Sequence, residues 1–429
     1  MRSYRPLRGL RIISFEVAAT LPSCTRIFAD LGAEIVRVGQ PLPARGEYLP
    51  TFEDLAINKA RLSINLKNEE GRALATRLIG QADAVCSNFT PPVLRRWGFD
   101  YASLQSIRPG IVFFQLSGFG TPGPWQDFPA YGPIIQAVGG LNATTGREED
   151  PPVRVGSHHF TDQVAGRYAA LALVAAIAHR QKTGEGQYID LSMYAAACHI
   201  IGDIITESAA LGHAPDRIGN RDPAFAPQGV YRCLGDDEWI AISVVTDDQW
   251  RLFRDLVADP SLATSSLENM AERQSRHAQI DAAIEGWTQL RTRDENCALV
   301  RSLGIPVAPV QKASDILVDP ELEARGTFQK VRHQRPIMGY SDHPHLTLAW
   351  RVEGQARPCL TEAHGHGADN ARVLKKWLNL SSRDLSRLAK AGALLPELPI
   401  VVGDEPMLGI QDWPLHADFD TRLGLTKGG

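Results

Sequence analysis

The stretch SHHFTDQVAGRYAALALVAAIA, Ser157 to Ala178, sets two histidines and an aspartate ahead of a long apolar run. Three chemistries fit those residue types. A metal could take nitrogen and oxygen from His158, His159 and Asp162. Adjacent residues of a strand point to opposite faces, so the two histidines are poorly disposed to share one ion. No HExxH occurs, and the HGHG at His364–Gly367 reads as a surface turn, so no metal is expected. In the second chemistry Thr161 or Asp162 caps the long helix. Backbone N–H groups and the helix dipole then keep the aspartate ionised. An ionised carboxylate in a pocket is a nucleophile towards an acyl carbon. Gly166, one helical turn on, would leave room for a ligand. In the third, Asp162 is only a cap, and spacing alone favours that reading because capping aspartates are common.

The elements around this stretch can be read from periodicity. LRIISFEV, CTRIFADLG and AEIVRVG give strand, helix and strand, a βαβ unit that predicts a parallel sheet. EEGRALATRLIGQ, ADAVCSNF, PPVLRRWG and GIVFFQLSGFG continue the alternation, so the first 150 residues or so read as doubly wound. Ligands of such sheets sit at the carboxyl ends of the strands. Those ends are the loops at 15–22, 39–41, 88–92 and 117–124. GFGTPG spells GxGxxG, but Pro124 and Trp125 follow it instead of a helix, so no dinucleotide site is expected. The run from Val164 to Ala178 is apolar nearly all round and should be buried in a core or an interface. Near Ala224 the texture changes to alternating strands with a GDDE turn, which marks a domain boundary. A strand is expected at Leu346–Trp350, then two short helices in NARVLKKWLNLSSRDLSRLAKAGAL.

The chain has 429 residues, enough for at least two domains, and its 44% hydrophobic and 22% charged residues suit a globular protein. A net charge of -4 without a long basic run speaks against nucleic acid or an acidic membrane surface as partner. The six cysteines are scattered without a CxxC, and no apolar window is long enough to cross a bilayer. The first residues contain no signal-peptide core. These features predict a reducing, cytoplasmic setting.

Several segments in order resemble the class III CoA-transferase family, the group of formyl-CoA and carnitine CoA-transferases. They include LRGLRIISFEVAATLPSCTRIFADLGAEIVRVGQP, NKARLSINLKNEEGR, GGLNATTG, DQVAGRYAALALVAAIAHRQKTGEGQYIDLSMYAA and DPELEARGTF. The resemblance runs from about Leu7 to Leu395. It implies an α/β fold: a Rossmann-like, doubly wound large domain built from both ends of the chain, with a smaller α+β domain inserted. The expected division is 1–224 and 331–395 for the large domain, 225–330 for the small one, and 396–429 as a C-terminal arm. The resemblance also implies an interlocked homodimer.

The family's catalytic aspartate lies four residues before a glycine at the start of this helix, which matches Asp162 and Gly166. The implied reaction moves coenzyme A from an acyl-CoA donor to a carboxylic acid acceptor, through an aspartyl mixed anhydride and an aspartyl-CoA thioester. CoA thioester is then a substrate, and no tightly bound cofactor is expected. Matched positions put Lys59, Arg61, Asn88, Phe89, Arg95 and Arg96 at CoA. Tyr131, His158, His159, Gly139 and Gly140 are expected at the substrate, with the Gly118–Gly123 loop beside them. Departures from the family pattern stand at Thr20-Leu21 (usually Ala-Gly), Gly39 (usually Glu) and Thr90 (usually Arg). An acyl-CoA racemase of this family would carry Gly-His-Asp where this chain has Ala130-Tyr131-Gly132, so one of its two acid/base groups is missing. The missing acidic neighbour of Tyr131 argues against oxalate or formate as substrate. A non-catalytic CoA-ester-binding subunit is the remaining alternative, and the presence of Asp162 speaks against it.

Overall fold

A computed structural model of the chain describes residues 3–39, 54–147, 149–156, 159–337 and 340–397, without the side chains of 334–341. Six strands form one parallel sheet: β1 (Arg11–Phe15), β2 (Glu34–Gly39), β3 (Ala60–Ser63), β4 (Ala84–Ser87), β5 (Val112–Ser117) and β6 (Tyr188–Ser192). Their spatial order is β3-β2-β1-β4-β5-β6, the doubly wound order whose switch point lies between β1 and β4. Register is set by pairs such as Ile12 with Ile35, Ile12 with Ala84 and Phe113 with Tyr188.

Successive residues of each strand feed opposite faces, as the two-residue strand period requires. Ile12, Ile35 and Phe114 enter one core with Leu21, Phe28 and Leu173. Ile13, Phe15, Val36 and Phe113 enter the other with Leu74, Leu78 and Trp377. Burying each such side chain contributes about 1.5–3 kcal/mol. Between the strands lie α1 (Thr20–Asp30), α2 (Glu69–Ile79), α3 (Pro91–Arg96), α4 (Tyr101–Ile107), α5 (Gly132–Val138), α6 (Leu141–Thr144) and α7 (Phe160–Thr183). The first of these packs on α7 through Leu21, Cys24 and Phe28 against Ala165, Ala169 and Leu173. After β6 come α8 (Met193–Ile200) and α9 (Gly202–Leu211).

The chain divides into two compact units, one of residues 1–142, 154–210 and 317–429, the other of 143–153 and 211–316. The boundaries expected from sequence at 224/225 and 330/331 both fall later in the chain than the changes of unit at 210/211 and 316/317, and 143–153, expected in the large domain, belongs to the smaller unit. The smaller unit has its own antiparallel sheet, β7 (Gln228–Arg232), β8 (Trp239–Ser243) and β9 (Val307–Pro309), over a core that includes Ile240, Trp250, Phe253 and Ile284. The C-terminal segment returns to the large unit, where Leu374 and Trp377 pack beneath the sheet. Nearly all of the expected arm, 398–429, lies outside the described residues.

One expectation fails here. Leu346–Trp350 is not a strand. The strand is β11 (Tyr340–Leu346), paired antiparallel with β10 (Phe328–Ile337), and it stops at Leu346. Beyond it the Thr347 N–H still donates to the Thr327 carbonyl, and Arg357 binds the Thr347 hydroxyl and the Leu348 carbonyl where the extended run ends. The histidines and prolines of 328–346 dilute the strand pattern, so the hairpin was hidden in the sequence. The short β3 within NKARLS was also not recognised as a strand.

Candidate active site

The loops that leave β1 and β4 meet at the switch point. The Asn88 side chain holds Val17 at both ends, accepting from its N–H at 2.9 Å and donating to its carbonyl at 2.8 Å. Ala18 then adopts a left-handed conformation, φ 52, before α1 begins. A residue with a Cβ resists that geometry, so the turn depends on its neighbours to hold it. It brings Thr20, the first residue of α1, against the first turn of α7.

Asp162 stands in that first turn, and the cap position belongs to His159. The expectation of Thr161 or Asp162 as cap is thereby corrected. The carboxylate is buried, 4% exposed. Thr20 Oγ1 donates to Oδ1 at 2.5 Å. Asp162 Oδ2 is buried without a hydrogen-bond partner among the described residues. His159 Nδ1 lies 4.0 Å from Oδ2, on an imidazole 31% exposed. Burial pushes the Asp162 carboxyl up from the ordinary range, and the Thr20 hydrogen bond and His159 only partly oppose it. Desolvation therefore outweighs the favourable helix terminus on which the sequence argument relied.

Gly166 does not open space for a ligand. A Cβ there would meet Ser23 Oγ at 1.8 Å and the Thr20 carbonyl at 2.9 Å. The missing side chain lets α1 lie directly on α7. Ser23 Oγ in turn donates to the Thr20 carbonyl at 2.8 Å. Gly139 and Gly140 also serve packing: Cβ atoms there would lie 2.8 Å from Ala197 Cβ and Ile201 Cδ1 respectively.

Other expected residues are dispersed. Lys59 is inside the fold, its ammonium on Glu16 Oε1 at 3.0 Å and the Pro22 carbonyl at 2.9 Å. Burial lowers the Lys59 pKa to about 8, with Glu16 opposing the drop. Arg61 is buried and donates to the His364 carbonyl and towards His366. A narrow cleft beside the Ala18 turn is lined by Arg61 together with Glu16, Ala18, Pro22, Arg37, Leu55 and Ala56. Phe89 packs edge-on against Trp97, and its carbonyl accepts from Gln115. Arg95 and Arg96 are exposed in the last turn of α3. Tyr131 is 69% exposed at the start of α5. The Gly118–Gly123 loop is tied to β6, where Asp190 accepts from the Thr121 N–H. His158 lies outside the described residues. The structure thus gathers Asp162 and His159 and adds Thr20, which appeared in the sequence only as a departure from pattern. The one available signal was a hydroxyl where the family has none.

Among the described residues no three His, Cys, Asp or Glu side chains converge to hold a metal ion. No described helix is long and apolar enough to cross a membrane.

The family model for CoA-transferase family III matches residues 7–370. A succinyl-CoA–D-citramalate CoA-transferase of Chloroflexus aurantiacus is 32% identical over 335 residues, 76% of this chain and 83% of that protein. An acetyl-CoA:oxalate CoA-transferase of Acetobacter aceti is 30% identical over 357 residues, 79% of this chain and 91% of that one. A crystal structure of a CAIB/BAIF family protein from Brucella suis has a TM-score of 0.79 and 25% identity, covering 87% of this chain and all (100%) of that one.

Proposed function

The chain belongs to CoA-transferase family III and transfers CoA, and on that premise we propose that Asp162 carries the transfer as its nucleophile. The carrying observation is the asymmetry of the buried carboxylate, one oxygen held by Thr20 and the other without a hydrogen bond among the described residues. Oδ2 attacks the donor thioester to give a mixed anhydride. The released CoA thiolate takes the aspartyl carbonyl to give an aspartyl-CoA thioester, and the acceptor acid reverses the sequence. The covalent route keeps the thioester energy and divides one exchange into several easier steps. Burial of Asp162 supports this reading because water would hydrolyse the anhydride. Arg61 and Arg37 outnumber Glu16 in the lining of the narrow cleft, so its mouth favours the anionic part of CoA. His159 Nδ1 lies 4.0 Å from Oδ2, which places an imidazole beside the carboxylate that an acceptor acid must approach.

A homodimer is part of the same reading. The face of α7 away from the core shows Tyr168, Leu171 and Val174, 39%, 69% and 42% exposed. That apolar stripe needs a cover, and a second copy would supply it.

The relatives' names suggest short acyl donors. Peptide mass spectrometry after incubation with succinyl-CoA, acetyl-CoA and formyl-CoA, with borohydride trapping, tests the proposal. The expected result is a reduced or CoA-bearing peptide containing Asp162 with at least one donor, absent from Asp162→Asn. If no donor labels it while solvent deuterium enters an acyl-CoA α-carbon, proton transfer replaces acyl transfer.

A further inference from the structure

We infer that the Thr20 hydroxyl is a catalytic donor: it singles out Oδ2 as the attacking atom and holds the oxyanion that forms on Oδ1. The inference rests on Asp162 being the nucleophile.

Thr20 is fixed from several sides. Its carbonyl accepts from Ser23 Oγ, and both pack where Gly166 lacks a side chain. Its Oγ1 also lies 3.4 Å from Met193 Sδ, but a sulfur is the weaker acceptor beside a carboxylate at 2.5 Å. Thr20 is 3% exposed, so water does not compete for its hydroxyl.

The electron count then gives Oδ1 a distinct part. Oδ2 bonds to the donor acyl carbon, the carbon–sulfur bond breaks, and the electron pair leaves on the CoA thiolate. The thiolate next bonds to Asp162 Cγ, and the Cγ=Oδ1 pair moves onto Oδ1. On collapse the Cγ–Oδ2 bond breaks, and the donor acid leaves as its carboxylate with that oxygen. An acceptor carboxylate oxygen attacks Cγ in turn and expels the thiolate. The thiolate then attacks the acceptor acyl carbon, and Asp162 is released with an acceptor oxygen as its new Oδ2. Oδ1 never leaves the enzyme and bears charge each time Cγ is tetrahedral. A donor already in place on that atom needs no reorganisation when the charge appears. The hydroxyl proton is shared and never transferred.

The test is isotope exchange between succinyl-CoA and carbon-13-labelled succinate, or the acyl-CoA and acid pair that labels Asp162. Thr20→Val keeps the shape and removes the donor. It should lower kcat about 100- to 1000-fold, the loss typical of one oxyanion donor. KM for the acyl-CoA should change by less than about twofold, since ground-state binding is untouched. The acidic limb of the rate profile should move to higher pH, because the hydrogen bond favours the carboxylate. Thr20→Ser should bring kcat to within about tenfold of the wild type and return the limb to its place. A Thr20→Val enzyme with wild-type exchange and an unmoved limb overturns the inference. A folded Thr20→Ser as slow as Thr20→Val also overturns it, since packing would then be the cause. Exchange that persists in Asp162→Asn removes the nucleophile reading itself, whatever Thr20 does.

Discussion

A carboxylate used as a nucleophile must be ionised, yet Asp162 sits where burial opposes its charge. The Thr20 hydrogen bond offsets part of that opposition without removing it. The fold therefore binds the Asp162 proton more tightly than the unfolded chain does. Its contribution to stability is complete below the unfolded carboxylate pKa, about 4. It is lost as pH rises through the higher folded value. At neutral pH the charged side chain is a burden that asparagine would not carry. Asp162→Asn should consequently melt at or above the wild-type temperature at pH 7, and the two curves should converge towards about pH 4. Thermal melts across that range check it, and a mutant that melts lower at pH 7 would contradict the account. Lys59 is the opposite case. Matched to a CoA contact in sequence, its ammonium is occupied by Glu16 with both side chains 1% exposed, and a buried pair of this kind is disrupted when either partner is removed.

At the scale of elements the site is a crossing of two helices. α1 reaches α7 because Ala165, Gly166 and Ala169 present little bulk where they meet. The approach at Gly166 is too close for a methyl group, with Ser23 Oγ 1.8 Å from where it would stand. Gly166→Ala must push α1 away or turn Ser23. It should destabilise the protein by about 1–3 kcal/mol, the usual range for overpacking. It should also slow turnover, since the same displacement carries Thr20 off Asp162. Denaturant melts and exchange rates measure both effects. Normal stability with normal turnover would mean that the crossing is looser than described. The helix terminus itself contributes less than its sequence suggested, because α7 is capped by His159 without a side-chain hydrogen bond.

At the scale of the whole molecule, the apolar outer face of α7 needs a cover. Leu171 is 69% exposed there, beside Tyr168 and Val174. With a second copy against this stripe, Leu171→Glu should place a charge in the interface. The protein should then elute as a monomer at concentrations where the wild type is a dimer. Light scattering on both proteins decides it, and a wild type that is monomeric throughout would remove the proposal.

Much of this architecture follows from local pattern. The two-residue alternation of Ile12 and Ile13 and the apolar length of 164–178 need no distant partner to be read. Neither do the Pro-led start of α3 or the four-residue step from Asp162 to Gly166. Those features determined the parallel sheet and the long helix, whereas the resemblance to the family set Asp162 apart from a plain cap. They did not determine the work of that carboxylate's two oxygens, because Thr20 and Asp162 are 142 residues apart in the chain. The spacing from Asp162 to Gly166 suggested a cap and an open space. The fold made them a first-turn residue and a helix contact. Capping, burial and the choice of free oxygen depend on which backbone arrives alongside. Only the closure of α1 on α7 decided that.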